Sequence, residues 1–380
     1  MKLAYISSEK MPVPAVKGGA IQILIDGVSP FLSKKHQLTI FSVADPSLPK
    51  REKRNGVHYI RIPRKNYAQG VAKELKKHRF DVIHVFNRPK NIPLYKKSAP
   101  QSRFVISLHN EMFSEHKISK KRGRRAIRSV RKIMTVSDYI GQTVSTRFPE
   151  AKPKLQTVYS GVDLQTYRPV WSKKAKATRR KLRKKYGVRG KKVILFVGRL
   201  SKTKGAHVLI KAMKHVIKKQ KRAVLIIVGS KWFSDNRKDA YIRSLYRLAQ
   251  PLKDHVIFTE YVPADKMADF YLIGDIFVCP SQWQEPLARV HYEAMAAGLP
   301  VITTKRGGNP EIIVHNENGI VISNYKRPRA FARTINRFLS NPDLASKMAR
   351  KGRKIVESHF DFQHVAKRLE NVYLSVSKKK

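Results

Sequence analysis

Apolar runs of strand length alternate with helix-length segments along this chain, and the alternation runs through twice. The first round comprises Leu3–Ser7, Leu38–Ser42, Val57–Ile62, Asp81–Phe86, Phe104–Leu108 and Lys132–Val136. The second comprises Val193–Val197, Val224–Val228, Val256–Thr259, Ile276–Cys279, Val301–Thr304 and Ile320–Ile322. Strands separated by helices pair in parallel, because each helix returns the chain to the same edge of the sheet. The pattern therefore predicts an α/β protein of two doubly wound domains. Between the rounds, WSKKAKATRRKLRKKYGVRGKK (171–192) has almost no apolar periodicity and is read as the linker and the start of the second domain. The expected boundaries are 1–170 and 171–357. A C-terminal helix at about 358–380, carrying Val365, Leu369 and Val372, is expected to pack back on the first domain, with the final KKK frayed.

Within the second round, Pro280 to Glu311 concentrates the candidate chemistry. It follows the apolar run Ile276–Cys279, passes through a helical segment to Gly298, and resumes as a strand before Gly307-Gly308. Gly298 suits the left-handed position that closes a helix, and Pro300 cannot continue one. Asn309-Pro310 reads as an N-cap followed by proline at the first helical position. This order puts Glu285, Glu293 and the glycine pair at the carboxyl edge of the sheet, where open α/β folds bind ligands. Solvated helix-end carboxylates are the other reading of the two Glu.

Three further features sit at strand ends. Gly18-Gly19 precedes a helical pattern through Ile21, Leu24, Ile25, Val28 and Leu32, either as a ligand loop or as a plain turn. His109 follows Phe104–Leu108 directly, and would face the ligand crevice or serve as a hydrogen-bonded structural histidine. His84, inside its strand, is assigned to the structural role. Arg199 and Lys204 flank a helix start after Val193–Val197; a guanidinium and an ammonium beside helix N–H groups suit a diphosphate, although GxxxxGK[ST] does not match there.

Charge sets the classes of partner. The chain has 80 Lys and Arg against 26 Asp and Glu, a formal net charge of +54, which attracts nucleic acid, anionic lipid or anionic polymers without choosing among them. The densest basic stretch in the first half, SEHKISKKRGRRAIRSVRK (114–132), fits a membrane-surface amphipathic helix or a solvated basic face. A single cysteine, Cys279, has no internal disulfide partner, so a reducing compartment is expected. The opening residues are too short in apolar length for a signal peptide, and no apolar run approaches a membrane span. There is no Asp-x-Asp pair, no HExxH and no GxSxG. These absences remove the usual carboxylate metal platform for nucleotide sugars, a zincin site and a serine-hydrolase elbow.

The assembled pieces resemble the retaining glycosyltransferases of family 4, which have the two-Rossmann-domain GT-B fold facing across a cleft. The residues carrying the likeness are Gly18-Gly19, His109, SGVD (160–163), GRLSKTKG (198–205), the Glu285–Glu293 spacing and GGNPE (307–311). MPVPAV (11–16), NEMF (110–113), SDYIGQT (137–143), GSKWF (229–233) and SQWQEPLARVHYEAMAAG (281–298) look closer still to spore-coat-associated glycosyltransferases of endospore-forming bacteria.

The resemblance implies a catalytic set of His109, Arg199, Lys204 and Glu285. The donor-binding set it implies is Gly18, Gly19, Gly198, Gly229, Pro286, Leu287, Ala288, Glu293, Gly307 and Gly308. Glu285 would bind hydroxyls of the donor sugar and Glu293 the ribose, with Arg199 and Lys204 neutralising the departing diphosphate without a metal. One departure stands out: the family usually has Gly three residues after the first Glu, where this chain has Ala288 followed by Arg289. The expected protein is a metal-independent enzyme using a nucleoside diphosphate sugar and no cofactor. Its acceptor would be a glycan, lipid or protein, with spore coat proteins, an anionic membrane or polymer as partners and nucleic acid bound only non-specifically. It would work in the mother-cell cytoplasm, at the spore coat or at a membrane surface. The competing reading is a coat component that keeps the fold with little catalysis.

Overall fold

A computed structural model describes residues 1–231 and 239–377. Trp232 and Phe233 of the GSKWF run, and the final KKK, lie outside the described residues. The chain divides into two compact units, Met1–Gly161 with Phe362–Lys380, and Val162–Asp361.

The first unit is built on eight strands: β1 (Lys2–Ile6), β2 (Gln37–Val43), β3 (Arg51–Arg54), β4 (Val57–Ile62), β5 (Val82–Phe86), β6 (Arg103–Leu108), β7 (Lys132–Thr135) and β8 (Leu155–Thr157). Their spatial order is β3-β4-β2-β1-β5-β6-β7-β8. All pairings are parallel except β3 with β4. The central strands are buried on both faces, which is why they are near-continuous Val, Ile, Leu and Phe. The sequence missed β3, REKR, and β8, LQT. Both lie at sheet edges, where one neighbour is enough and no apolar run is required.

The helix Ala20–Leu32 and the C-terminal helix Phe362–Ser377 share a core on one face of this sheet. A Cβ on Gly27 would lie 2.2 Å from the Phe362 ring, so the two helices approach too closely for a side chain there. A polar chain pins the second helix. The Tyr373 hydroxyl lies 2.7 Å from that of Tyr5 and 2.8 Å from His84 Nδ1, while His84 Nε2 is 2.6 Å from Ser107 Oγ. His84 is thus a buried structural histidine. The basic helix Lys120–Ser129 turns its apolar side inward: Ile118, Ala126, Ile127 and Val130 are buried in this unit. What the helix shows to solvent is charge, so it has no apolar face left to insert into a membrane.

The second unit has six strands: β9 (Lys192–Val197), β10 (Ala223–Val228), β11 (Val256–Glu260), β12 (Ile276–Cys279), β13 (Val301–Thr304) and β14 (Gly319–Ile322). They are all parallel, in the order β11-β10-β9-β12-β13-β14. Counted from β9 this is 3-2-1-4-5-6, the order of dinucleotide-binding folds, with a switch point between β9 and β12.

The stretch read as a linker is a helix, Lys173–Lys185, capped by Ser172. Only Ala175 on it is buried, so apolar burial does not hold it. Charge does: Arg179 and Arg183 each place a guanidinium nitrogen 2.5 Å from an oxygen of Asp275, which also accepts from the Val193 N–H at 2.7 Å. Arg179 donates further to the carbonyls of Leu272 and Gly274. Hydropathy patterning is blind to a helix anchored in this way.

Candidate active site

The loops after β9 and β12 open at the switch point. After β9 the chain runs Gly198-Arg199-Leu200-Ser201, makes a 3-10 turn at Lys202–Lys204, and starts the helix Ala206–Lys219 from Gly205. Gly205 has φ +78°, and a Cβ there would lie 1.9 Å from the Pro280 carbonyl oxygen. The glycine thus lets the two loops touch and brings Lys204 beside Glu285.

Glu285 is buried, and its hydrogen bonds fall mostly on Oε2. Lys204 Nζ lies 2.9 and 2.7 Å from its two oxygens, and Ser281 Oγ and Trp283 Nε1 each donate to it at 2.8 Å. Burial works to raise its pKa. The Lys204 charge and the hydrogen bonds from Lys204, Ser281 and Trp283 outweigh that and hold the carboxyl below its ordinary value. Arg199 is solvent-exposed within electrostatic reach of the same carboxylate. Ser281 and Trp283 carry no periodic signal, and nothing in the sequence singled them out.

The glycine loop closes on Glu285 from the other side. Gly308 N–H donates to the Glu285 carbonyl at 2.8 Å, and Gly307 N–H to Gln284 Oε1 at 2.7 Å. Gly307 has φ +53°, and a Cβ on it would lie 1.9 Å from the Glu285 carbonyl oxygen. The helix that follows is a single turn, Asn309–Ile312, with Gly308 at its cap. The expected Asn309 cap is therefore corrected. Its side chain is fully buried, and neither amide atom has a hydrogen-bond partner among the described residues. On the far side of β9, Gly229 abuts Gly198, where a Cβ would come 2.0 Å from the Gly198 carbonyl oxygen. Pro286, Leu287 and Ala288 are buried.

Glu293 lies on the helix Val290–Ala296 and is also buried. Tyr271 donates its hydroxyl to Glu293 Oε2 at 2.7 Å, and Arg289 Nη2 approaches Oε1 at 3.4 Å. Thus Arg289, which follows the departing Ala288, is the ion-pair partner of the second Glu. The structure brings Arg199, Lys204, Glu285, Gly198, Gly229, Pro286, Leu287, Ala288, Glu293, Gly307 and Gly308 into one unit. Gly18, Gly19 and His109 belong to the other. There, Gly18 and Gly19 have φ +74° and +104°; the His109 N–H donates to Asn87 Oδ1 at 2.7 Å and its ring stacks on Phe86. No group of three or more His, Cys, Asp or Glu able to hold a metal occurs among the described residues.

His291, six residues after Glu285 and unremarked in the sequence, is fully buried with Nε2 2.8 Å from Thr303 Oγ1. Burial pushes its pKa down to about 4. In the unfolded chain it titrates at about 6.5, so on acidification the unfolded state takes up the proton first. Stability conferred by the neutral ring is complete above about pH 6.5 and is lost as pH falls towards about 4. In urea titrations across that window, His291→Asn should flatten the pH dependence by on the order of 3 kcal/mol. An unchanged slope would show that the ring takes up its proton as readily in the native state as in the unfolded chain.

Two Rossmann-like units, the second with a charged switch-point site, define the GT-B class of fold. The comparisons agree. Residues 178–355 match the glycosyl transferases group 1, and residues 23–166 match Glycosyltransferase Family 4. A Bacillus subtilis (strain 168) protein named as a glycosyltransferase, YtcC, is 54% identical over 99% of this chain and 92% of its own. Spore coat protein SA of the same organism is 49% identical over 98% of this chain and 99% of its own. Among solved structures, Anabaena Alr3699/HepE in complex with UDP-glucose superposes with a TM-score of 0.76 at 21% identity, over 99% of this chain and 100% of that one. The chain belongs to the glycosyltransferases of group 1 and family 4, and it is an enzyme of that class. No helix among the described residues is long and apolar enough to cross a membrane.

Proposed function

We propose that the chain transfers a sugar from a nucleoside diphosphate sugar to an acceptor hydroxyl, with retention at the anomeric carbon and without a metal. The observation that carries this reading is the buried Lys204–Glu285 pair at the β9–β12 switch point. An anionic leaving group requires cations where its charge develops, and Lys204 with Arg199 supplies them from a loop that is already ordered. Buried Glu285 and Glu293 supply acceptors for hydroxyls, and the glycine loops supply backbone N–H groups. The choice of a nucleotide sugar as donor is supported by the likeness to HepE, whose structure holds UDP-glucose.

In the proposed step the acceptor oxygen bonds to the anomeric carbon on the face from which the nucleotide leaves. The bond to the diphosphate oxygen breaks, and the acceptor proton passes to that oxygen. Glu285 orients the sugar, Glu293 the ribose, and Arg199 and Lys204 stabilise the diphosphate.

A panel of UDP-, GDP- and ADP-sugars tests this by nucleotide release in EDTA, with the anomeric configuration of the product read by NMR. Release that persists in chelator and a retained configuration are expected. Release abolished by EDTA, or inversion, would overturn the respective part. The likeness to Spore coat protein SA supports a role in spore coat or surface glycan assembly in the mother cell. It also supports the second reading, a coat component with little turnover. Calorimetry separates them, since a scaffold should bind no nucleotide sugar.

A further inference from the structure

The first unit has a switch point of its own, between β1 and β5, and a cavity of about 410 Å³ opens beside it. Glu9 comes three residues after β1, Arg64 two residues after β4 and Arg88 two residues after β5, so the cavity lies at the carboxyl edge of the sheet, where such folds take ligands. Its size suits a monosaccharide or a headgroup.

Its lining is strongly one-sided in charge. Arg64, Lys65, Arg88, Lys90 and Lys117 face a single carboxylate, Glu9. Moreover Glu9 is already committed: Arg88 binds it through Nε at 2.7 Å and Nη2 at 2.8 Å. That pair cancels itself and fixes the floor, leaving the other four cations uncompensated within the lining. Arg64 is held in place by its bond to the Lys10 carbonyl at 2.9 Å. The one carboxylate in the lining is taken up by Arg88, so the charged groups left to a ligand there are cations. Guanidinium and ammonium groups lining one concave site match an oxyanion.

We infer that this cavity binds an acidic group, phosphate or carboxylate, carried by the acceptor. The inference rests on the glycosyl-transfer reading for the word acceptor; binding of the acidic group itself does not. A sugar phosphate and a phospholipid headgroup present the same chemistry, so the test has an arm for each.

Calorimetry on the full chain compares glucose 6-phosphate and glucuronate with glucose, and sedimentation compares vesicles of phosphatidylglycerol with vesicles of phosphatidylcholine. Each is repeated on Lys65→Glu/Lys90→Glu, two exposed positions in the lining. A control, Lys34→Glu/Lys53→Glu, makes the same charge change near the opposite rim of the sheet. The acidic probe should bind at least about tenfold tighter than its neutral counterpart, and the lining variant should lose that preference while the control keeps it. A response in the soluble arm assigns the group to a small molecule, and one confined to vesicles assigns it to a lipid.

Equal binding of acidic and neutral probes, or equal losses in the control, would overturn the inference by reducing it to the general surface charge. Failure of the wild type to turn over any nucleotide sugar would sink the transferase reading, while the calorimetry still decides what the cavity holds.

Discussion

Lys204→Ala lowers sugar transfer by about 10²–10³-fold, the usual cost of deleting one preorganised group that meets charge developing in a transition state. The same change also leaves Glu285 buried with its ion partner gone. Removing one member of a buried pair costs about 3–5 kcal/mol, since the remaining charge is neither solvated nor matched. Activity and stability therefore fall together, and they must be separated. Lys204→Ala combined with Glu285→Gln removes both charges, so the urea midpoint should recover much of the loss while transfer stays low. Arg199→Ala, an exposed position, should lower transfer with little change in the midpoint. Near-normal turnover in both Lys204→Ala and Arg199→Ala would end the assignment of the diphosphate to this loop.

The second large effect belongs to a residue with no functional group. Gly205→Ala puts a methyl 1.9 Å from the Pro280 carbonyl oxygen, at φ +78°. Backbone is in the way, so the β9 and β12 loops must part, and Lys204 moves off Glu285 as they do. Gly187 is the matched control, with φ +63° and nothing within 4 Å of its would-be Cβ. There alanine should cost only the left-handed penalty of about 1–2 kcal/mol. At Gly205 overpacking adds about 1–3 kcal/mol more, and transfer should fall nearly as far as in Lys204→Ala. Urea midpoints and nucleotide release on the two variants check this. Equal destabilisation at both glycines would show that the loops can separate without strain.

What could be read without coordinates follows the hydrophobic signal. Strands buried on both faces, such as Ala223–Val228 and Ile276–Cys279, must be apolar throughout and so announce themselves. Arg51–Arg54 forms a strand only because β4 offers it an open edge, and no local property marks it. The helix Lys173–Lys185 escaped for a related reason: its anchor is Asp275, ninety or more residues away in sequence. The basic stretch around Lys120–Ser129 was ambiguous between a membrane face and a solvated one until its apolar residues were found to be buried within the unit.

The candidate site divides in the same way. Glu285, Glu293, Arg199, Lys204 and the glycine pairs are recognisable because their spacing follows from strand, loop and helix lengths, which sequence encodes locally. That Lys204 pairs with Glu285 depends on strand order, whereas Ser281 and Trp283 reach Glu285, and Arg289 reaches Glu293, from within four residues along the chain. Residues 81 positions apart meet because β9 and β12 are neighbours across a switch point. Sequence by itself determined the alternation, the apolar interiors and the places where the backbone needs glycine, since each is a property of one segment and its solvent exposure. Only the tertiary structure decided which loops touch and which charges compensate one another, because those energies depend on distances that no single segment contains.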